Sequence, residues 1–206
     1  MSLLNVLVCA DRVDVVTDSR TESIANGGPG SASKLHIVAL PAVLLAGRGI
    51  ASVPLVASIG LQHRAPSFDA CLAMLPGLVR DALQAMATGA AAQGIDPQNP
   101  ALAQHELVMA GWSNRLGRMA AVHVLKRDAQ ALLQVEMIEP GECVLAPHVD
   151  GVTDGGQIHT GADLVTMARR QLVAWNLGHP MAPLGGPLQV AELRQGRITI
   201  STVTDA

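Results

Sequence analysis

Ser2-Leu-Leu-Asn-Val-Leu-Val-Cys9 and Arg12-Val-Asp-Val-Val-Thr-Asp-Ser-Arg20 decide how this chain is read. The first stretch is almost wholly apolar, and the second alternates polar and apolar side chains over 12–17. Ala10-Asp11 lies between them as a tight turn, so the pair predicts a β-hairpin starting almost at the first residue. Further on, Lys34 opens the apolar run Leu35-His-Ile-Val38, and Leu44-Leu-Ala-Gly-Arg-Gly49 closes a second one. Polar residues therefore sit at strand ends, where a sheet leaves side chains free for chemistry.

Outward from this region, periodicity supplies the remaining elements. Leu72, Leu75, Val79, Leu83 and Met86 share one helical stripe, with Ser67 as its cap. Pro76-Gly77 inside that stretch predicts a kink or a split. Strands are expected over 34–40, 42–47, 106–112, 118–126, 131–137, 142–146, 187–193 and 197–203. The apolar run 49–63 reads as another buried strand. Residues 94–105 read as a linker, and Asn26-Gly-Gly-Pro-Gly30 as a loop. Thr160 with Asp163 resembles a capping box opening a helix to Leu177, with Gly178 at its end. Strands, helix, strands, helix, strands is an α+β order. It predicts a four-layer αββα sandwich, two antiparallel sheets flanked by helices, in a single domain over 1–206.

Composition narrows the function. The 206 residues are 49% hydrophobic and only 15% charged, with net charge −3. Disorder is excluded, and no basic field exists to hold nucleic acid. Phe68, Trp112 and Trp175 are the only aromatics, too few for a base-stacking surface. Arg48, Pro41 and Pro54 interrupt the apolar runs, so no membrane span is expected, and a cytoplasmic location is. Cys9, Cys71 and Cys143 form no metal-type pair and read as small buried side chains.

Two near-motifs fail. Gly27 to Lys34 lacks the Gly before the lysine and the Ser or Thr after it that a phosphate loop needs. Gly111-Trp-Ser-Asn-Arg115 lacks the closing glycine of a nucleophile elbow. His148, Asp150, Asp154 and His159 are metal ligands by type, but follow no recognised spacing.

Ser2, Asp18, Lys34 and the Ala-Gly turn at Gly47 together resemble proteasome β-subunits and the bacterial proteasome-like peptidase, both N-terminal nucleophile hydrolases. The late Gly185-Gly-Pro-Leu-Gln-Val-Ala191 resembles the start of that family's late strand. The resemblance implies Ser2 as nucleophile after removal of Met1, with Asp18 and Lys34 as its catalytic partners. It also implies Gly47 as oxyanion-hole donor, and Arg20, Thr21 and Glu22 as substrate contacts. It implies a homo-oligomeric ring, a possible ATP-dependent unfoldase partner and no cofactor. Met181 and Leu184 stand where the family carries supporting polar residues. Two further readings stay open: a proteasome-like scaffold without catalysis, and a binding protein built on the loop 148–159.

Overall fold

The computed structural model describes residues 2–22, 28–96, 99–154 and 157–204. Met1, residues 23–27 (with part of the expected loop) and residues 97–98 of the expected linker lie outside them. The hairpin forms as β1 (Leu4–Val8) and β2 (Val13–Asp18), antiparallel, with Leu4 opposite Thr17. β3 (Arg20–Glu22) pairs with β4 (Pro29–Ser31), and β5 (Leu35–Val38) with β6 (Val43–Arg48). Helices α1 (Ser52–Gln62), α2 (Phe68–Ala92) and the one-turn α3 (Pro100–Ala103) follow. Then come β7 (His105–Ser113), β8 (Arg118–Lys126), β9 (Gln134–Ile138) and β10 (Cys143–Ala146). The chain closes with α4 (Gly161–Gly178), β11 (Leu188–Arg194) and β12 (Arg197–Val203).

One five-stranded sheet runs β10-β1-β2-β11-β12 and another β5-β6-β7-β8-β9. Between them lies a core that includes Leu4, Val6, Val15, Leu44, Val108, Ala121 and Ala191. The opposite face of β1, through Leu3 and Leu7, packs on Leu164, Ala168 and Leu172 of α4. Both faces of β1 are thus buried, which is why its sequence is a continuous apolar run rather than an alternation. Asn5 is the exception. Its amide donates to Gln171 on α4 at 2.5 Å, and its carbonyl oxygen accepts from the Ala146 N–H at 3.3 Å. On the other sheet, Leu45, Leu107, Met109 and Val122 pack against Val53, Ala57, Leu61, Phe68, Leu75 and Val79. Each such fully buried aliphatic or aromatic side chain contributes about 1.5–3 kcal/mol.

The expected four-layer αββα sandwich of two antiparallel sheets flanked by helices is corrected. The described residues carry more strand than helix, in three sheets rather than two, and the third is the separate β3–β4 pair. Helix cover is uneven, with α1 and α2 on one large sheet and only α4 on the other. The strand expected over 49–63 is the helix α1. Its buried Val53, Ala57 and Leu61 recur every fourth residue, while Leu55, Val56 and Ile59 are apolar but exposed. That all-round apolar pattern hides helical periodicity, and Pro54 is tolerated because it falls in the first turn. Pro76 does not split α2, which is continuous over its 25 residues. Of the cysteines only Cys71 is buried; Cys143 is exposed and Cys9 half-buried. No helix among the described residues is long and apolar enough to cross a membrane.

Candidate active site

Asp18 ends β2 and is completely buried, and Lys34, just before β5, is 2% exposed. A buried carboxylate or ammonium must find a partner, because the Born penalty of an isolated charge far exceeds one hydrogen bond. Lys34 Nζ donates to Asp18 Oδ1 at 2.5 Å. That oxygen also accepts the Leu3 N–H at 2.8 Å, and Oδ2 accepts the Gly185 N–H at 3.2 Å. Asp18 therefore joins β1, the start of β5 and the Gly185-Gly186 turn. Burial pushes the Lys34 ammonium below the ordinary lysine range; Asp18 opposes this, and the nearby Arg48 cation adds to the lowering. Lys34 is anchored from its backbone too, its N–H donating to Gln189 Oε1 at 3.0 Å.

Ser2 is buried directly before β1. Its carbonyl accepts from Arg48 Nε at 2.8 Å, and the next N–H, of Leu3, is the one held by Asp18. The structure thus brings Ser2, Asp18 and Lys34 to one place. Gly47 lies in the same region, but its N–H donates to the Lys34 carbonyl at 3.3 Å. Packing by itself accounts for a glycine at 47. A Cβ there would lie 2.3 Å from Pro54 Cγ in α1.

Arg20, Thr21 and Glu22 form β3; Arg20 and Thr21 are half-buried and Glu22 is exposed. The Arg20 N–H donates to the Gly185 carbonyl at 2.9 Å, tying β3 to the turn that Asp18 grips. Arg20 Nε and Glu22 Oε1 are 3.8 Å apart, a loose ion pair at a strand edge. Neither supporting position before Gly185 offers a polar group. Met181 is 93% exposed, and Leu184 is buried in the α4 core.

Sequence reasoning missed Arg48, Glu106, His123 and Ser19. Arg48 Nη1 pairs with Glu106 Oε1 at 2.5 Å, and Glu106 Oε2 lies 3.5 Å from His123 Nε2. Burial raises the Glu106 carboxyl, yet His123 and Arg48 outweigh it and hold it below the usual carboxylate range. Ser19 Oγ is buried with no hydrogen-bond partner among the described residues. The available signal was a charge at the end of an apolar strand, Arg48 after Leu-Leu-Ala-Gly, matched by Glu106 at the start of another.

Three of the four metal-type residues converge. His148 Nε2 lies 3.2 Å from Asp150 Oδ1 and 3.3 Å from Asp154 Oδ1, all exposed. His159 stays apart, against Gln157. Ser113, of the rejected elbow, donates instead to Asp69 Oδ1 at 2.7 Å.

No family model and no curated protein matches this chain. Among solved structures it is similar to Anbu (ancestral beta-subunit) from Yersinia bercovieri. The TM-score is 0.68 at 11% identity, over 100% of this chain and 88% of that one. An Anbu (Gly-1) mutant from Hyphomicrobium sp. strain MC1 gives 0.67 at 9% identity, over 99% and 87%. This corrects the resemblance drawn from the motifs: these neighbours are ancestral beta-subunit proteins, not the proteasome β-subunits or the bacterial peptidase named there. The likeness establishes the fold alone, the one these Anbu structures share, over the whole chain.

Proposed function

We propose that this chain is an amide-bond hydrolase, peptidase-like, in which Ser2 is the nucleophile once Met1 has been removed. The observation that carries the reading is the buried Lys34–Asp18 pair, whose shared oxygen Oδ1 also grips the N–H next to Ser2. Ser2 Oγ attacks the substrate carbonyl, and its proton passes to the free α-amine, whose reference pKa of about 7.7–8.0 leaves part of it neutral at pH 7. The Lys34 cation favours the alkoxide, and Asp18 holds the lysine in place. The amine then protonates the leaving nitrogen, and water hydrolyses the acyl-serine. The Gly47 N–H is the candidate oxyanion donor, which requires its 3.3 Å bond to the Lys34 carbonyl to yield. Substrate lies extended beside 20–22 and 47, where β3 offers a strand edge. A homo-oligomeric ring, an unfoldase partner and a cytoplasmic location belong to the same reading.

A scaffold without catalysis is the competing reading. It is favoured by the engaged Gly47 N–H and by the apolar Met181 and Leu184. Intact mass with and without a peptide epoxyketone, which bonds both hydroxyl and amine of a terminal nucleophile, separates the two. The expected result is a chain lacking Met1 that gains one inhibitor mass. A chain that keeps Met1 and stays unlabelled would leave the scaffold as the better account.

A further inference from the structure

Arg48 ends β6 with its neighbours on alternate positions, Leu44 and Ala46, in the core between the two large sheets. Strand alternation turns Arg48 to that same inter-sheet side, where a guanidinium needs fixed partners. Two of its partners lie in different directions. Nη1 meets Glu106, its register partner across β6 and β7, and Nε meets the Ser2 carbonyl. The other carboxylate oxygen of Glu106 lies 3.5 Å from His123 Nε2 on β8. Arg48 and Glu106 side chains are each only 17% exposed.

The Ser2 carbonyl and the Leu3 N–H belong to one peptide group. Arg48 holds its oxygen from one sheet, and Asp18 holds its N–H from the other. A planar group held at both ends cannot rotate. The Ser2 Cα, from which hydroxyl and amine project, is therefore fixed relative to Lys34. The two positions before Gly185 where the resemblance places supporting polar groups supply none, since Met181 is exposed and Leu184 lies in the α4 core.

We propose that Arg48 is a positioning residue of the Ser2 site, clamping the Ser2–Leu3 peptide together with Asp18 and itself braced by Glu106. The inference rests on the reading of Ser2 as nucleophile. Arginine suits the position because its planar guanidinium presents donors to both acceptors at fixed angles, whereas a lysine ammonium carries rotatable donors on a flexible stem.

The test compares epoxyketone labelling rates, by intact mass, in the full wild-type chain, Arg48→Ala, Arg48→Lys and the double variant Arg48→Met with Glu106→Gln. The double variant leaves no unpaired buried carboxylate, so it keeps the test alive if Arg48→Ala does not fold. Labelling is expected to slow by about ten- to a hundred-fold in Arg48→Ala and in the double variant, the scale of a misplaced reacting group. Arg48→Lys is expected to recover little of this. Added guanidinium is expected to restore labelling in Arg48→Ala, and the same ionic strength of sodium chloride is not. A labelled wild type with the folded variants labelled equally fast overturns the positioning role and leaves Ser2 as nucleophile. A wild type that is not labelled overturns both.

Discussion

At the scale of single residues the site is an exercise in burying charge. Lys34 and Asp18 are almost wholly out of water, so neither tolerates loss of the other. Breaking a buried pair from one side destabilises by about 3–5 kcal/mol, because the survivor is left uncompensated. Asp18 keeps two backbone donors, Leu3 and Gly185, when Lys34 is lost, whereas Lys34 has no other side-chain acceptor among the bonds described. Lys34→Met and Asp18→Asn are therefore each expected to lower the urea midpoint sharply. The combined variant is expected to fall short of the sum of the two, and all three are expected to lose epoxyketone labelling. Additive single effects, or a Lys34→Met variant labelled at the wild-type rate, would remove this pair from the mechanism. These two residues were singled out in the sequence by their spacing from Ser2, which resembles that of N-terminal nucleophile hydrolases, and the structure pairs them. Arg48 carried no such spacing, and its role depends on Glu106, brought beside it only by the β6–β7 register.

Elements bring a different constraint, visible where β6 meets α1. Gly47 was read from the sequence as an oxyanion donor, while its Cα lies under Pro54 of a helix that the sequence reading took for a strand. Two explanations of one glycine are separable by a double-mutant cycle. Gly47→Ala forces a Cβ into Pro54 and is expected to destabilise by about 1–3 kcal/mol, the usual range for overpacking. Pro54→Ala removes the clashing ring, so the double variant is expected to recover much of that loss in thermal unfolding. Recovery of stability with recovery of labelling assigns the glycine to packing. Recovery of stability without labelling assigns the Gly47 backbone to chemistry. Elements were read well where an apolar run, an alternation or a capping box marked them, as in β1, β2, β7, β8 and the Thr160–Asp163 box of α4. They were misread where apolar residues covered the whole surface of a helix, as in α1, or where strands were as short as β3 and β4.

For the whole molecule, the consequence of two large sheets and uneven helix cover is that titratable groups at strand starts end up inside. His105 opens β7 at 2% exposure, with both ring nitrogens lacking hydrogen-bond partners among the described residues. Burial pulls its pKa down to about 4 from 6.5, against a smaller opposing pull from Glu106. The folded chain thus keeps a neutral imidazole where the unfolded chain takes up a proton, so stability is lost as pH falls from the unfolded value toward the folded one. Across the window from 6.5 to about 4 the loss is on the order of 3 kcal/mol. Glu106, held below its ordinary value by His123 and Arg48 after burial has pushed the other way, adds a loss of the same sign at the acid end. Nothing in the sequence marked His105 apart from the other histidines, because its burial comes from its place at the start of β7 close against Gly49. Urea unfolding at half-unit steps from pH 7.5 to pH 4.5 is expected to show a steady fall for the wild type (a range set by the window above). His105→Leu, which removes the titrating ring and keeps an apolar side chain, is expected to flatten that fall while Glu106 still bends the acid end. An unchanged slope in His105→Leu would move the acid sensitivity from this imidazole to the neighbouring Glu106 carboxyl, which His123 and Arg48 hold low.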